Sequence, residues 1–273
     1  MTQSARGDEA WQARTARQRQ RQQEIAELVT AEGTVRIEDL IERFGVSAMT
    51  VHRDLDQLEA QGLLRKTRGQ VTALGSSLTE SGMAFRSTRN LAEKVALAHA
   101  ALEFVESGQS IVLDDSTTAV QLARLLPRRA PLGVITNSAA VAAELAREPQ
   151  ISLTVVGGLY HSWCDAYQGQ TTVDAIANIR ADTFVMSAAA ITDDIAFFQN
   201  LDTIAVKRAM FTSSARRLLL ADHTKFGQRA LHALLPLAEF DAVIVDTGTG
   251  ADQIERMRRA GITVVVAPVD PPA

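Results

Sequence analysis

Cysteine is almost missing from the sequence, and this scarcity limits the class of protein. The single cysteine, Cys164, rules out an internal disulfide framework and fits a reducing cytosol. No apolar run approaches the roughly 18 residues that a membrane-spanning helix needs. The polar N-terminal stretch lacks the apolar segment of a secretory signal. We therefore expect a cytoplasmic protein.

Catalytic and metal-binding signatures are also missing. The five histidines are scattered, without an H-x-x-x-H or C-x-x-C pair, so neither a metal nor a cofactor is predicted. No G-x-S-x-G elbow or Walker loop occurs. The string HRDL at 52–55 matches the start of a protein-kinase catalytic loop, but Glu59 stands where the kinase asparagine belongs. Because the other kinase motifs are lacking too, the string needs another explanation.

The composition is that of a globular chain with room for two domains. Hydrophobic residues make up 46% of the 273 positions and charged residues 22%. The net charge is −4, yet residues 1–74 hold 11 Lys/Arg and 11 Asp/Glu, against 17 and 21 in the rest. Clustered positive charge attracts phosphate, although a solvated arginine face explains the cluster equally well. The clustered residues are Arg14, Arg17, Arg19, Arg21, Arg65, Lys66 and Arg68.

Apolar spacing predicts three helices and a basic hairpin in the N-terminal part. The helices are expected from Arg17 to Ala31, from Val35 to Phe44, and after Ser47, a good N-cap. Glu32-Gly33, Gly45 and Gly62 are expected to end the three helices in turn. The alternating residues 65–71 predict a short wing. This arrangement is typical of a winged helix-turn-helix, whose third helix enters the DNA major groove.

Beyond a Ser/Thr/Gly-rich stretch, strands alternate with helices. Strands are predicted at 110–114, 132–136, 151–156, 183–187, 218–221, 242–246 and 263–266. The fold class is therefore α/β, with a winged helix-turn-helix domain followed by a Rossmann-like, mainly parallel α/β domain. The predicted divisions are the winged helix-turn-helix domain at 17–74, a linker at 75–92 and the α/β domain at 93–269.

Three turns at predicted carboxyl ends of strands are candidate ligand contacts. Asp114-Asp115-Ser116-Thr117-Thr118 offers a helix N-terminus and hydroxyls that suit a phosphate, with carboxylates that suit sugar hydroxyls. Thr136-Asn137-Ser138 and Gly157-Gly158 follow the next two strands. Simple helix capping and a plain turn explain these segments as well. Lys207 and Lys225 are candidate cations.

Two sets of motifs together resemble the DeoR family of bacterial transcriptional regulators, over nearly the whole chain. VSAMTVHRDLDQLEAQGLLRKTRG looks like the family's V-S-x-x-T-I-R-R-D-L-x-x-L-E-x-x-G-x-L-x-R, and LDDSTT, VITNS, VVGG, KRAM and LADHTKFG follow in family order. The resemblance implies a repressor that binds double-stranded operator DNA as a homo-oligomer, dimer or tetramer. It also implies release by a phosphorylated sugar effector and a sensor domain similar to ribose-5-phosphate isomerase.

The resemblance also implies site residues. Those for DNA are Ser47, Thr50, His52 and Arg53, with Arg65, Lys66 and Arg68 in the wing. Those for the effector are Asp114, Ser116, Thr117, Thr118, Thr136, Asn137, Gly157, Gly158 and Lys225, with Lys207 as a second cation. Asp54 is expected to orient a basic neighbour or to cap the fold through a surface contact.

The sequence departs from the family pattern at three places. His52 stands where arginine is commoner, the wing ends RGQV, and FVMSAAAITDD lacks the glycines common near the family's ligand site. The same segment lacks the acidic pair of the isomerase catalytic loop, so no enzyme activity is expected. The rival interpretation is a sugar-phosphate isomerase or transferase with an N-terminal accessory module, for which Asp193 and Asp194 are the candidate carboxylate bases. A third is a regulator with an inactive effector pocket.

Overall fold

The computed structural model describes residues 17–26, 28–29, 32, 34–60, 63–73 and 82–269. The chain forms two compact units, with the division after Phe85. Among the described residues, no helix has both the length and the apolar composition of a membrane-spanning segment. The predicted fold class is confirmed, because each unit has the expected architecture.

Up to residue 73, the described residues of the N-terminal unit form three helices and a three-stranded antiparallel sheet. Residues 17–26 and 28–29 are helical and belong to α1. They are followed by β1 (Thr34–Arg36), α2 (Ile37–Phe44), α3 (Ala48–Ala60), β2 (Leu64–Thr67) and β3 (Gln70–Ala73), and the sheet order is β1-β3-β2. The predicted helix ends at Gly33 and Gly62 lie outside the described residues.

One predicted boundary in this unit is wrong. A helix was expected to begin at Val35, but Val35 lies in β1 opposite Val71, and α2 begins at Ile37. The cause is tertiary: the wing needs a third strand, and pairing with β3 overrides the apolar spacing that favoured a helix. The predicted stop at Gly45 is confirmed, since its backbone is left-handed (φ 60°) and its N–H donates to the Ile41 carbonyl over 3.1 Å.

The apolar stripes of the three helices meet in one core. This core buries residues from α1, α2, α3 and the wing strands, as the helical spacing predicted. Its members are Ile25, Ala26, Val29, Val35, Ile37, Leu40, Val51, Leu55, Leu58, Leu63, Leu64 and Val71.

Part of the stretch predicted to be a linker is helical. Residues 75–81 lie outside the described residues, but α4 (Met83–Thr88) falls inside the stretch and α5 (Leu91–Leu102) begins before its end. Asn90 separates the two helices with a left-handed backbone (φ 50°), a conformation that asparagine tolerates. The domain boundaries themselves stay a prediction.

The second unit is built on a seven-stranded parallel sheet. Its strands are β4 (Ser110–Leu113), β5 (Leu132–Thr136), β6 (Ile151–Val155), β9 (Ala181–Ser187), β12 (Ser214–Ala221), β14 (Ala242–Asp246) and β15 (Val264–Ala267). The helices that connect them include α6 (Thr117–Leu125), α7 (Ala139–Leu145), α8 (Gln170–Ala177), α9 (Leu201–Thr212) and α10 (Ala251–Arg259). Every predicted strand lies in this sheet. The apolar runs of the inner strands β4, β9 and β14 are buried on both faces, whereas the edge strand β6 is mostly exposed.

The strand order indicates where along the sheet a ligand is expected to bind. The order is β15-β14-β12-β9-β4-β5-β6, so the chain proceeds in one direction from β4 to β6 and in the other from β9 to β15. The direction reverses between β4 and β9. In open α/β sheets, ligands bind beyond the carboxyl ends of the strands at such a switch point.

Two smaller sheets complete the second unit. β7 (Leu159–His161) pairs with β8 (Ala166–Gln168), and β10 (Ala190–Thr192), β11 (Ile195–Phe198) and β13 (His232–Pro236) form an antiparallel sheet. Asp193 and Asp194 make the two-residue turn between β10 and β11, both with left-handed backbones. Asp194 accepts a hydrogen bond from Arg256 over 3.3 Å. The carboxylates considered for an isomerase base therefore belong to a hairpin turn.

Candidate functional site

The helix α3 presents a polar face beside its buried stripe. Val51, Leu55 and Leu58 are buried, whereas His52 and Arg53 are exposed. Ser47 caps the helix by accepting from the Thr50 N–H over 3.3 Å, and the two hydroxyls lie 2.9 Å apart. The residues predicted to contact DNA thus lie on a capped helix, and the buried residues of that helix hold it in place.

Asp54 is buried inside the N-terminal unit, with 1% of its surface exposed. Its carboxylate accepts from Arg21 Nε over 2.6 Å and from Gln22 Nε2 over 2.9 Å. The residue therefore fixes α3 against α1, as the expected role of orienting a basic neighbour implied. The same contact engages Arg21, so Arg21 is no longer a free member of the basic cluster.

The three cations of the wing have different surroundings. Arg65 and Arg68 are exposed on the β2–β3 hairpin. Lys66 instead contacts Asp56 of α3 through a short ion pair, and its N–H donates to Glu59 over 2.9 Å. Arg65 and Arg68 are therefore better placed to contact phosphates than Lys66 is.

Asp114 lies at the switch point and is completely buried. Its Oδ1 accepts from the Ser116 N–H over 3.0 Å and from the Ser116 hydroxyl over 2.5 Å. Its Oδ2 accepts from the Ser187 N–H over 3.0 Å and from Lys207 Nζ over 2.5 Å. Both oxygens are thus occupied in joining β4, β9 and α9, so Asp114 shapes the edge of the sheet.

Lys207 forms a buried ion triad with two aspartates. Its Nζ lies 2.5 Å from Asp114 and 2.8 Å from Asp115, and 4.8 Å from the centre of the Phe198 ring. Burial alone would lower the pKa of Lys207, but the two carboxylates raise it above its usual value. Burial likewise opposes the ionised form of Asp115, and Lys207 nevertheless holds the pKa of Asp115 below its usual value. The triad carries one negative charge overall.

Two of the predicted polar turns act as helix caps. The Ser116 hydroxyl accepts from the Ala119 N–H over 3.0 Å at the start of α6, and Ser138 accepts from Val141 over 3.3 Å at the start of α7. Thr136 accepts from the Ser138 N–H over 3.0 Å. The simpler interpretation of these segments is therefore correct for Ser116 and Ser138. Thr117 and Thr118 are buried in the first turn of α6.

Gly157 and Gly158 differ in their surroundings. A Cβ atom on Gly158 would lie 2.0 Å from the Thr172 hydroxyl and 2.7 Å from the Gln168 carbonyl, and its φ is 155°. The Gly157 carbonyl accepts from the Thr172 hydroxyl over 2.9 Å. Gly158 is thus required for packing against the start of α8. Gly157 has open space on the side where a Cβ would project.

Two buried amide side chains offer unused acceptors near these turns. Asn137 donates to the Tyr167 carbonyl over 2.8 Å, and Gln168 donates to the Thr203 hydroxyl over 3.0 Å. Among the described residues, the side-chain carbonyl oxygens of both have no hydrogen-bond partner. Buried polar atoms normally have partners, so a ligand hydroxyl suits these oxygens. Gln168 was not predicted, because the strand β8 that carries it was not predicted either.

A cationic cluster lies at the carboxyl end of β12. Asp222 accepts from Asn90 Nδ2 over 3.1 Å and from Thr224, and Lys225 Nζ lies 3.9 Å from Asp222 Oδ2. Burial disfavours the charged form of Asp222, yet Lys225 and Thr224 hold the pKa of Asp222 below its usual value. Beside this group, His223 Nδ1 lies 2.8 Å from Asp246 Oδ2.

Lys94 of α5 completes this cluster and was not predicted. It is 4% exposed, and its Nζ donates to the carbonyls of Arg86 and, over 2.6 Å, Arg89. Burial first, and then the positive charge of Lys225, lower the pKa of Lys94 to about 7. The sequence signal was weak, because a lysine within a helix is usually exposed.

Metal chemistry finds no support in the described part of the chain, where no group of three or more His, Cys, Asp or Glu side chains could hold an ion. The candidate site is therefore made of cations, hydroxyls, amides and three buried aspartates, Asp114, Asp115 and Asp222.

Comparisons with known proteins match both units. Residues 21–77 match the DeoR-like helix-turn-helix domain, and residues 89–247 match the DeoR C terminal sensor domain. A putative aga operon transcriptional repressor of Escherichia coli O157:H7 is 28% identical over 250 residues, which cover 90% of this chain and 93% of the relative. The glycerol-3-phosphate regulon repressor of Escherichia coli K12 is 30% identical over 231 residues, which cover 84% and 91%. A solved ribose 5-phosphate isomerase A from Methanocaldococcus jannaschii is 16% identical, with a TM-score of 0.36, and covers 49% of this chain and 53% of the isomerase.

Proposed function

The chain belongs to the DeoR family of transcriptional regulators, and on this premise we propose that it represses carbohydrate-metabolism genes and is released from operator DNA by a phosphorylated sugar. The two relatives named above are called repressors, one of an aga operon and one of a glycerol-3-phosphate regulon. The single observation that carries the proposal is the exposed pair His52 and Arg53 on the capped helix α3.

The proposed DNA binding depends on exposed positive charge on α3 and on the wing. Arg53 on α3 and Arg65 and Arg68 on the wing are exposed cations on two neighbouring elements of one unit. A helix in the major groove reads base edges, while wing cations position the protein on phosphates. Lys66 contributes less because Asp56 holds it. The proposed DNA contacts are Ser47, Thr50, His52, Arg53, Arg65, Lys66 and Arg68.

The sensing half depends on groups that face the carboxyl edge of the sheet. Asn137 and Gln168 supply buried carbonyl oxygens for hydroxyls, and Lys225 supplies a cation near the switch point. A phosphorylated polyhydroxy compound matches this combination of acceptors and positive charge. The other proposed effector residues are Asp114, Ser116, Thr117, Thr118, Thr136, Gly157, Gly158 and Lys207, of which Asp114, Ser116, Gly158 and Lys207 act mainly by shaping the site.

We propose that this sensor domain is not an enzyme. An isomerase needs a carboxylate that accepts a proton near neutral pH. Asp114 and Asp115 are instead bound to Lys207, and the pKa of Asp115 is lowered. Turnover of ribose 5-phosphate by the purified chain would support the rival interpretation of an isomerase with an accessory module.

The proposal includes a homo-oligomer in the cytoplasm. At least two copies are needed because an operator with paired half-sites is bound by two DNA-binding domains. Coupling between effector and DNA of this kind is typically about 1–3 kcal/mol. Affinity for DNA should fall steeply with salt as phosphate contacts release counterions.

The test is fluorescence anisotropy with DNA from upstream of the protein's own gene and a random duplex of equal length. We expect specific binding at moderate salt, and weaker binding with at least one member of a sugar-phosphate panel. Arg53→Ala should weaken operator binding, whereas Arg259→Ala, an exposed change on α10, should not. Equal binding of both duplexes would refute the regulator proposal. Specific binding that no sugar phosphate changes would indicate an inactive effector pocket.

A further inference from the structure

The strand β6 is an exposed edge of the seven-stranded sheet. It stands last in the strand order, and among the described residues it pairs only with β5. Three of its five residues, Ser152, Thr154 and Val155, are exposed. The strand at the opposite edge, β15, has no exposed residue. An exposed edge strand presents backbone N–H and C=O groups with which another strand can pair.

Charge does not protect this edge. Natural edge strands often carry charged side chains that prevent pairing with another chain. None of residues 149–164 is Asp, Glu, Lys or Arg. Instead, Val155, Leu159 and Tyr160 expose 43%, 67% and 48% of their surfaces. An uncharged edge beside exposed apolar side chains is typical of an interface with another protein surface.

Hydrogen bonds to β5 determine which backbone groups of β6 point outward. The Leu132 N–H donates to the Gln150 carbonyl over 3.2 Å, and the Val156 N–H donates to the Thr136 carbonyl over 2.8 Å. The even-numbered residues of β6 therefore face β5. Because backbone groups alternate in direction along a strand, the odd-numbered residues point away from β5.

These outward groups match those of a second, antiparallel copy of the strand. The Ile151 N–H donates to the Glu148 carbonyl over 3.1 Å, so Leu153 and Val155 are the residues placed to pair. When Thr154 lies opposite Thr154 of a second copy, Leu153 lies opposite Val155 of that copy, and the reverse. Each of these two pairs exchanges two N–H···O=C bonds, and the apolar side chains of both pairs meet on one face.

The two ends of β6 are complementary as well. At its start, Pro131, Pro149 and Ile151 are among the residues that line an open groove of about 440 Å³. After its end, the chain continues to the exposed Leu159 and Tyr160 of β7. Antiparallel pairing directs this apolar segment of each copy toward the groove of the other. Such reciprocity is what a two-fold interface between identical chains requires.

We propose that β6 forms the interface between two copies of this chain, through antiparallel pairing across a two-fold axis at Thr154. The two seven-stranded sheets then join into one continuous sheet. A second copy fits better than an unrelated strand, because the register, the exposed side chains and the groove are each complementary to themselves. This inference rests on the proposed homo-oligomer and adds to it the surface that forms it.

Cysteine cross-linking in the full chain tests the register. A residue on the axis lies opposite itself, at about 4.5 Å between Cα atoms, which is within the range of a disulfide. We therefore expect Thr154→Cys to form a covalent dimer on oxidation. Ser152→Cys should not, because the two introduced cysteines would be roughly 13 Å apart along the strands. The parent chain controls for Cys164, which is buried, and Val265→Cys tests the other edge strand, β15.

A charge on the axis tests the strength of the contact. Thr154→Lys places two like charges directly opposite each other, which destabilises a strand pair. We expect the dissociation constant for this contact, measured by analytical ultracentrifugation, to rise about tenfold or more. Thr154→Val keeps a β-branched side chain without charge and should match the parent chain.

The outcomes separate the inference from the proposed function. The inference is wrong if Thr154→Cys gives no cross-link, or if folded Thr154→Lys associates as tightly as the parent chain. Cross-linking of Val265→Cys instead would assign the interface to β15 and would also overturn it. If circular dichroism shows that Thr154→Lys does not fold, the cysteine variants decide. Failure of the parent chain to bind its operator overturns the proposed repressor and leaves the cross-linking result unchanged.

Discussion

Arg21 donates from Nε to Oδ2 of Asp54 across 2.6 Å, and this ion pair joins α1 to the helix that carries His52 and Arg53. Asp54 is 1% exposed on its side chain and Arg21 is 20% exposed, so the carboxylate has little access to water. The position of α3 relative to α1 thus depends on the charge of Asp54, which belongs to the HRDL string.

Asp54→Asn should destabilise the N-terminal unit by about 1–3 kcal/mol. The asparagine keeps one acceptor for Gln22 but leaves Arg21 without its counter-charge. Hydrogen exchange of the α3 amides in the full chain measures the change. Glu42→Gln, an exposed change on α2, is the control. Unchanged exchange in Asp54→Asn would show that the pair is energetically neutral.

Asp56→Asn should strengthen DNA binding, by about two- to fivefold. It releases Lys66 from its ion pair and removes a negative charge from the side chain beside the wing. The measurement is operator anisotropy over a salt series, in which the slope should steepen by about 0.9 for one added phosphate contact. Adding Lys66→Ala should abolish the gain. A gain that persists in the double variant would mean that Lys66 is not responsible.

Gly157→Ala and Gly158→Ala form a matched pair with different expected results. An alanine at Gly158 meets the Gln168 carbonyl at 2.7 Å and needs a strained backbone, whereas the position of a Cβ at Gly157 is open. We expect a loss of about 1–3 kcal/mol in stability for Gly158→Ala and little change for Gly157→Ala. Thermal unfolding measures the stability. A selective loss of ligand binding in Gly157→Ala would place the effector against that glycine.

The sequence contained enough to predict the architecture, because helix and strand periodicity are local properties. The strand conformation of Val35 could not be predicted in this way, because it depends on pairing with Val71. At the candidate site, Asp114 and Lys207 were each predicted as effector contacts, but their mutual contact across 93 residues could not be predicted from spacing. Lys94 was missed because nothing local distinguishes a buried lysine from an exposed one. Its burial arises from the packing of α5 beside the loop after β12.

The final prediction concerns protons. Lys94 has a pKa of about 7 without ligand, because of its burial and the facing charges of Lys225, Arg86 and Arg89, with Asp222 acting in the opposite direction. An unfolded lysine has its usual value of 10.5, so the unfolded chain binds more protons between these two values. From this group alone, the stability of the ligand-free protein should therefore rise as the pH increases from about 7 toward 10.5.

Binding of the phosphorylated effector beside Lys225 should reverse this shift, because the charge of Lys225 acts on Lys94. The anion favours protonated Lys94, so binding at pH 8 should take up close to one proton, and affinity should weaken as the pH rises further. Phosphate esters have their second pKa near 6, so the charge of the ligand is nearly constant there and the dependence reports on the protein. Calorimetry in two buffers with different ionisation enthalpies counts the protons. Lys94→Met should lose the uptake and Arg259→Met should keep it. The same uptake in Lys94→Met would show that the proton binds to a group other than Lys94.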